Sequence, residues 1–280
     1  MIYLILAVCS SALISVVMKA GEGRIKNNIS ALAVNYLTCL MIGIAYSAGS
    51  GALIVDPVKG RMTIILGLIT GAFYVGSFIL YQYNILKNGV VMSSTFMKLG
   101  VLVPTILSII VFGEHPGLMQ AIGICLAVTA IIVINSKEAD ENTVTAPKLL
   151  VLVLLSGGTC DAMSKIYEEL GPARYSSQFL LYTFAVAFVL CSMTALIRGQ
   201  SVTREDLLFG FLIGVPNYYS ARFLLMALSN VPAIIAYPVF SAGTIALVGA
   251  AGVLMFHEKM TCRQWIAVGI IIISMILLNV

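Results

Sequence analysis

The chain has 280 residues, 60% of them apolar and only 10% charged, with a formal net charge of +4. An ordinary soluble domain carries about 25% charged residues, so this composition excludes a water-bathed surface, and basic residues this scattered exclude a nucleic-acid interface. A membrane span takes about 20 apolar residues, which lets the chain hold about ten spans with short loops and leaves no room for a soluble catalytic domain.

Span one runs from about Ile2 to Ala20 and ends in the hydrophilic stretch Gly21-Glu22-Gly23-Arg24-Ile25-Lys26-Asn27-Asn28. It lacks the basic n-region and the Ala-x-Ala site of a secretory signal, and Leu6-Ala7-Val8-Cys9 lacks that same n-region as a lipoprotein box, so it is read as a retained span. Span two covers about Ile29 to Ala48, before a loop holding Asp56-Pro57, Lys59 and Arg61. Spans three (about Met62 to Leu86) and four (about Val90 to Phe112) meet at a tight turn, Lys87-Asn88-Gly89. Span five starts at Pro116, whose missing N–H is harmless in a first helical turn. A polar linker from Ser136 to Ala146 follows. Span six covers about Pro147 to Tyr167, span seven about Ser177 to Ile197 and span eight about Leu207 to Leu228. Span nine begins at Pro232, and span ten at Thr261, with Gln264 at capping-box spacing. The alternating polarity of a membrane β-barrel is absent.

The two halves repeat. Gly67-x-x-x-Gly71 falls on Gly210-x-x-x-Gly214, Ser77 on Ser220, Gly100 on Gly243, Glu114 on Glu258, Gln120 on Gln264 and Asn135 on Asn279, which is the mark of duplication. The expected organisation is a five-helix repeat over residues 1–135, a linker over 136–146 and a second repeat over 147–280. An odd-numbered unit followed by its copy inserts the copy upside down. The fold class is therefore an all-α integral membrane protein with ten transmembrane helices in two inverted five-helix repeats. Basic residues concentrate in the odd-numbered loops, which places both termini outside.

Ten spans in two halves, a Glu between the fourth and fifth span of each half, and the continuation Gln-x-Ile-(Gly/Ala) at Gln120 and Gln264 resemble the drug/metabolite transporter superfamily, in particular its ten-helix EamA-like members. Glu114-His115-Pro116-Gly117 departs from the commoner Glu followed by a basic and a capping residue, a change confined to the loop. The resemblance implies a central cavity lined mainly by the first four helices of each half, alternating access, and peripheral fifth helices. It implies no single substrate, since members carry amino acids, sugar phosphates, nucleotide sugars or organic cations.

Ionisable residues away from the interfaces are the first candidates for function, because a charge in hydrocarbon costs at least a few kcal/mol. Lys98, Asp161 and Arg222 qualify. Asp161 and Lys165 are four apart and can pair on one helix face. Against that plain ion pair, Ser11, Ser15 and Lys19 align with Gly157, Asp161 and Lys165, and a polar face kept in both halves points to cavity lining. Lys19 and Lys165, near helix ends, are expected to reach the interface. Neither Lys98 nor Arg222 has an acid at helical spacing, so Asp161, backbone carbonyls or the cargo are the expected partners.

Neutral polar faces add to the set. Tyr74, Ser77, Tyr81 and Asn84 recur at helical steps in span three, Asn217, Tyr218 and Arg222 cluster in span eight, and Tyr237, Ser241 and Thr244 share a face of span nine. The expected substrate contacts are Lys98, Asp161, Arg222, Asn217, Tyr74, Tyr81, Tyr218, Tyr237 and Ser15, with Asp161 as the proton-coupling group. Pro104, Pro216 and Pro238 are expected to kink spans four, eight and nine. Glu114 and Glu258 are read as structural acids at the positive end of the following helix. The six cysteines, with no Cys-x-x-Cys, are read as small buried hydrophobes rather than metal ligands or disulfides.

An enzyme is not expected. The only histidines are His115 and His257, Thr261 replaces the second histidine of His-Glu-x-x-His, and no Gly-x-Ser-x-Gly occurs. The absence of a Walker A motif argues against ATP as the driver, and no cofactor is implied. Two cations against one acid suit a cargo bearing a carboxylate or phosphate. The expected function is a secondary transporter of small polar metabolites, amino acids or related carboxylates, with organic-cation or multidrug efflux as the alternative. It would act as a monomer or homodimer in a bacterial inner (cytoplasmic) membrane, with substrate and lipid as its partners.

Overall fold

The computed structural model describes residues 1–49, 55–56, 58–135, 146–256 and 262–278. Among the described residues all regular structure is helical: α1 (Ile2–Ala20), α2 (Asn28–Gly49), α3 (Arg61–Leu99), α4 (Leu102–Ile110), α5 (Leu118–Asn135), α6 (Pro147–Leu170), α7 (Ser176–Ile197), α8 (Arg204–Leu228), α9 (Ala233–Phe256) and α10 (Cys262–Leu278), with a 3-10 turn at Ala173–Tyr175. Among the described residues seven helices are long and apolar enough to cross a membrane, and three shorter apolar helices cover Phe96–Ile110, Leu118–Val133 and Trp265–Leu278. The expected fold class holds: an all-α integral membrane protein of ten helices in two inverted five-helix repeats.

The helical run α3 is 39 residues long, about 58 Å if straight, yet its contacts show that the chain doubles back. Ser77 Oγ lies 3.3 Å from Ser156 Oγ on α6, while Met97 covers Gly157 on the same helix. Two points 20 residues apart on a straight helix lie about 30 Å apart, so the direction must reverse between them. Asn88 stands at the reversal. Its amide nitrogen donates to the Ala146 carbonyl at 3.0 Å and its oxygen accepts from the Ala146 N–H at 2.9 Å, tying the bend to the entry of α6. The run ends at Gly100, where a Cβ would sit 2.8 Å from the Gly158 amide nitrogen.

Contacts divide the chain into two units, residues 2–75 with 166–226, and residues 76–165 with 227–280 and Met1. In the first unit α2 packs along α7, and the paired glycine motifs set the spacing of the third helix of each half. A Cβ on Gly67 would lie 2.8 Å from the Tyr182 Cβ, and one on Gly71 would lie 2.5 Å from the Thr183 carbonyl, both on α7. The repeat-related Gly210 and Gly214 meet Ala31, Asn35 and Thr38 of α2 in the same way. The third helix of each half therefore packs on the second helix of the other half. Asp206 locks the entry of α8: it forms a reciprocal capping box with Thr203 and accepts the Lys26 and Asn27 N–H groups ahead of α2 at 2.9 and 3.2 Å.

In the second unit α5 packs on α10, with Ser274 Oγ donating to the Gly123 carbonyl at 2.8 Å, and α4 packs on α9. Several expectations need correction. Glu114 does not serve the following helix α5: its carboxylate accepts the Ala233 and Ile234 N–H groups at 3.0 and 2.9 Å, the first turn of α9, because those donors have no intrahelical acceptor. Helix α5 starts at Leu118 rather than Pro116, and Gln120 Oε1 accepts the Gly117 N–H at 3.0 Å. Pro216 and Pro238 lie inside α8 and α9, but Pro104 falls in the first turn of α4, where its missing N–H removes no ladder bond. Of the five cysteines whose side chains are described, all free thiols, Cys39 and Cys191 are buried whereas Cys9 and Cys125 face outward. Glu258, Thr261 and His257 lie outside the described residues.

Candidate functional site

The candidate residues divide between the units. Lys98, Asp161, Tyr81 and Tyr237 belong to the unit of residues 76–165 and 227–280, and Arg222, Asn217, Tyr218, Tyr74 and Ser15 to the other.

In the first of these, the plain Asp161–Lys165 ion pair, the alternative to cavity lining, does not form. Lys165 Nζ lies 3.1 Å from Glu114 Oε1, with side-chain exposures of 5% and 15%, and the Phe112 ring sits 5.6 Å from the same ammonium. Lys165 thus does not reach for the interface. A neighbour four residues along a helix is always near, but Glu114 offers a carboxylate already fixed by two backbone donors, and that geometry wins. Asp161 is left half-buried, and its carboxylate has no hydrogen-bond or ion-pair partner among the described residues. Lys98, in the last turn of α3, is exposed. Among the described residues no ion pair joins Lys98 to Asp161.

The backbone around this pair is pinned. The Tyr237 hydroxyl donates to the Asp161 carbonyl at 2.7 Å, and Ser77 reaches Ser156 one turn before Cys160. Tyr237 is fully buried, so it holds α6 in place rather than presenting its ring. Tyr81 lies half-buried one turn beyond Ser77.

In the other unit Arg222 finds neutral partners. Its Nη1 donates to Ser177 Oγ at 3.1 Å and to the Tyr218 hydroxyl at 3.5 Å, and its guanidinium carbon lies 3.9 Å from the centre of the Tyr46 ring. No described carboxylate forms an ion pair with it. Tyr218 is fully buried and stacks on Tyr46 at 5.8 Å. Asn217 Nδ2 donates to Asn35 Oδ1 at 3.1 Å, joining α8 to α2. Tyr74 packs edge-on against Phe184 at 6.2 Å, and Ser15 is half-buried on α1. A cavity of about 380 Å³ at the α1–α2 junction, lined by Met18, Lys19, Glu22 and Asn28 among others, holds none of the nine candidates.

Sequence reasoning missed Tyr46, Ser177 and Asn35, which share no helix with the residues they hold. A cation over an aromatic face contributes about 0.5–2 kcal/mol. A double-mutant cycle on thermal unfolding in detergent is therefore expected to give Tyr46→Leu and Arg222→Met a coupling of about 1 kcal/mol; strictly additive losses would mean that the ring and the guanidinium act independently.

Comparison with known proteins places these features in context. Residues 1–136 and 147–280 match the EamA-like transporter family. An uncharacterised protein of Haemophilus influenzae is 22% identical over 275 residues, covering 95% of this chain and 93% of that one. A protein solved by crystallography superposes with a TM-score of 0.74 at 15% identity, covering 99% of this chain and 94% of that one, which is a likeness of fold.

Proposed function

We propose that this chain, which belongs to the EamA-like transporter family, is a secondary transporter that moves small polar metabolites, amino acids or related carboxylates, across a bacterial cytoplasmic membrane by alternating access. The family implies a membrane transporter of the drug/metabolite type, and the apolar helices make the chain a multi-pass integral membrane protein.

The observation that carries the cargo class is the contrast between two carboxylates of one unit. Glu114 is closed off by an ammonium and two backbone amides, whereas Asp161 and its neighbour Lys98 are left open. A charge within a span costs at least a few kcal/mol when uncompensated, so an open pair is retained for a partner that comes and goes. Arg222, whose described partners are uncharged, is a second cation available to a carboxylate. Asp161 is the group that binds and releases a proton when transport runs on a proton gradient.

Proteoliposomes assayed with a panel of radiolabelled polar metabolites test this. Carboxylate-bearing members are expected to be taken up, with Lys98→Ala and Arg222→Ala each weakening apparent affinity about 10- to 100-fold, the loss of one charge-assisted contact. An imposed pH gradient should stimulate the parent protein and not Asp161→Asn. Unaltered uptake in all three variants would remove these residue roles. Uptake of hydrophobic cations alone would establish the alternative, organic-cation or multidrug efflux, which the ring cluster of Tyr46, Tyr218, Tyr219 and Phe223 favours.

A further inference from the structure

We propose that Gly76 is a hinge within α3, at which the helix bends as the protein changes state; the inference goes beyond the cargo reading and concerns motion alone. Among the described residues three helices pass from one compact unit to the other: α3 between residues 75 and 76, α6 between 165 and 166, and α8 between 226 and 227. In α6 and α8 the crossing lies near the helix end, with only residues 166–170 and 227–228 beyond it. The segments that follow, Gly171-Pro172 and Ser229-Asn230, lie outside the helices and absorb a change of direction without breaking one. No such relief exists in α3, where residues 61–75 stand on one side of the crossing and 76–99 on the other.

Both arms of α3 are fastened close to this step. Before it, Gly71 meets the Thr183 carbonyl and Tyr74 packs edge-on against Phe184 at 6.2 Å, both on α7. After it, Ser77 Oγ lies 3.3 Å from Ser156 Oγ on α6. The partner changes from α7 to α6 between residues 74 and 77, and Gly76 lies between the two fastenings. The same exchange marks the crossing in α6. Lys165 pairs with Glu114 at 3.1 Å, whereas Tyr167 stacks on Phe179 at 4.0 Å, lies 3.3 Å from the Thr63 hydroxyl and donates to the Pro172 carbonyl at 3.0 Å.

Gly67, Gly71 and Gly100 are small because a Cβ on each would collide with a neighbouring helix. Gly76 has no such reason: it is exposed, and nothing lies within 4 Å of its Cβ position. Glycine weakens a helix interior relative to alanine, so without packing to gain, its use here is backbone freedom. The bare side lets α3 bend towards it without collision, and Gly76-Ser77 is a glycine–serine pair, one of the few sequence causes of a helix kink. The second half makes the converse choice. Tyr219, beside the Ser220 that falls on Ser77, takes the equivalent place in α8, and α8 makes its crossing at its end, where no flexible step inside the helix is required.

The test places spin labels on the native Cys9 of α1 and Cys125 of α5, exposed thiols that belong to different units. The full-length protein is used in lipid nanodiscs with Cys160 and Cys262 replaced by alanine, Cys39 and Cys191 being buried. Pulsed electron–electron resonance is expected to give two distances between the labels. Gly76→Ala should favour the distance of the straight helix about fivefold, the glycine-to-alanine preference of one helical position, with a thermal midpoint no lower than the parent's. Gly269→Ala is the control. Its Cβ position is equally open, but α10 lies wholly within one unit, so the two populations should not move. A single distance in the parent, populations unchanged by Gly76→Ala, or an equal shift from Gly269→Ala would overturn the hinge. Failure to carry any polar metabolite in proteoliposomes would overturn the transporter reading instead, and the distances would still decide the hinge.

Discussion

Glu114→Leu protein purified in detergent is expected to unfold at a much lower midpoint than the parent, a loss of about 3–5 kcal/mol. The substitution removes three interactions at once. Lys165, with 5% of its side chain exposed, loses its carboxylate, and the Ala233 and Ile234 N–H groups at the start of α9 lose their acceptor. Breaking a buried pair from one side costs more than the pair contributes, because the remaining charge stays out of water. Glu114→Gln keeps an acceptor for one amide and is expected to lose less. Adding Lys165→Met to Glu114→Gln should recover part of the stability, since it removes a buried ammonium that no longer faces that carboxylate. An unchanged midpoint in Glu114→Leu would show that the clip between α6 and α9 is dispensable.

The second large effect is expected at the glycines. Gly214→Leu and Gly71→Leu should each sharply reduce the yield of folded protein in the membrane, at a cost of about 3 kcal/mol or more. At Gly214 a Cβ would stand 2.5 Å from the Thr38 Cβ and 2.7 Å from the Asn35 carbonyl, and at Gly71 it would stand 2.5 Å from the Thr183 carbonyl. The nearest obstacles are carbonyl oxygens and Cβ atoms, which no change of rotamer moves aside. Forcing α8 off α2 would also break the Asn217–Asn35 bond and the contact of the Cys39 thiol with the Gly214 carbonyl at 3.2 Å. Gly76 provides the control: nothing lies within 4 Å of its Cβ position, so Gly76→Ala should be neutral or slightly stabilising in a helix. Equal yields from Gly214→Leu and Gly76→Ala would contradict the packing described.

These two cases show what could be read from the sequence. The spans were legible because lipid demands long apolar runs, and the ends of α1, α2, α6 and α7 fall within a few residues of those expected. A reversal between spans three and four was legible from Lys87-Asn88-Gly89, although the helical run α3 continues through those residues, and the glycine motifs marked the repeat. Their partners were not legible. Helical periodicity says which residues share a face, not which helix the face meets, so Gly67 gave no hint of Tyr182, nor Arg222 of Tyr46. The same limit misassigned Lys165. Its spacing from Asp161 offered a local partner, while the carboxylate it actually meets, on Glu114, arrives from a distant part of the chain already oriented by the α9 amides. Nor does periodicity say whether Lys98 and Asp161, on different helices, form an ion pair.

The crossing of third helices onto the second helices of the opposite half governs how the protein can be made. When the ribosome has delivered α3 to the membrane, the surface that Gly67 and Gly71 must meet, around Tyr182 and Thr183, does not yet exist. About a hundred further residues must emerge, which takes about 5–20 s at ordinary synthesis rates. During that interval the notch in α3 faces lipid or the insertion machinery. The two halves are therefore mutual scaffolds: neither can complete its own packing, and translation of the second half is itself a folding step for the first.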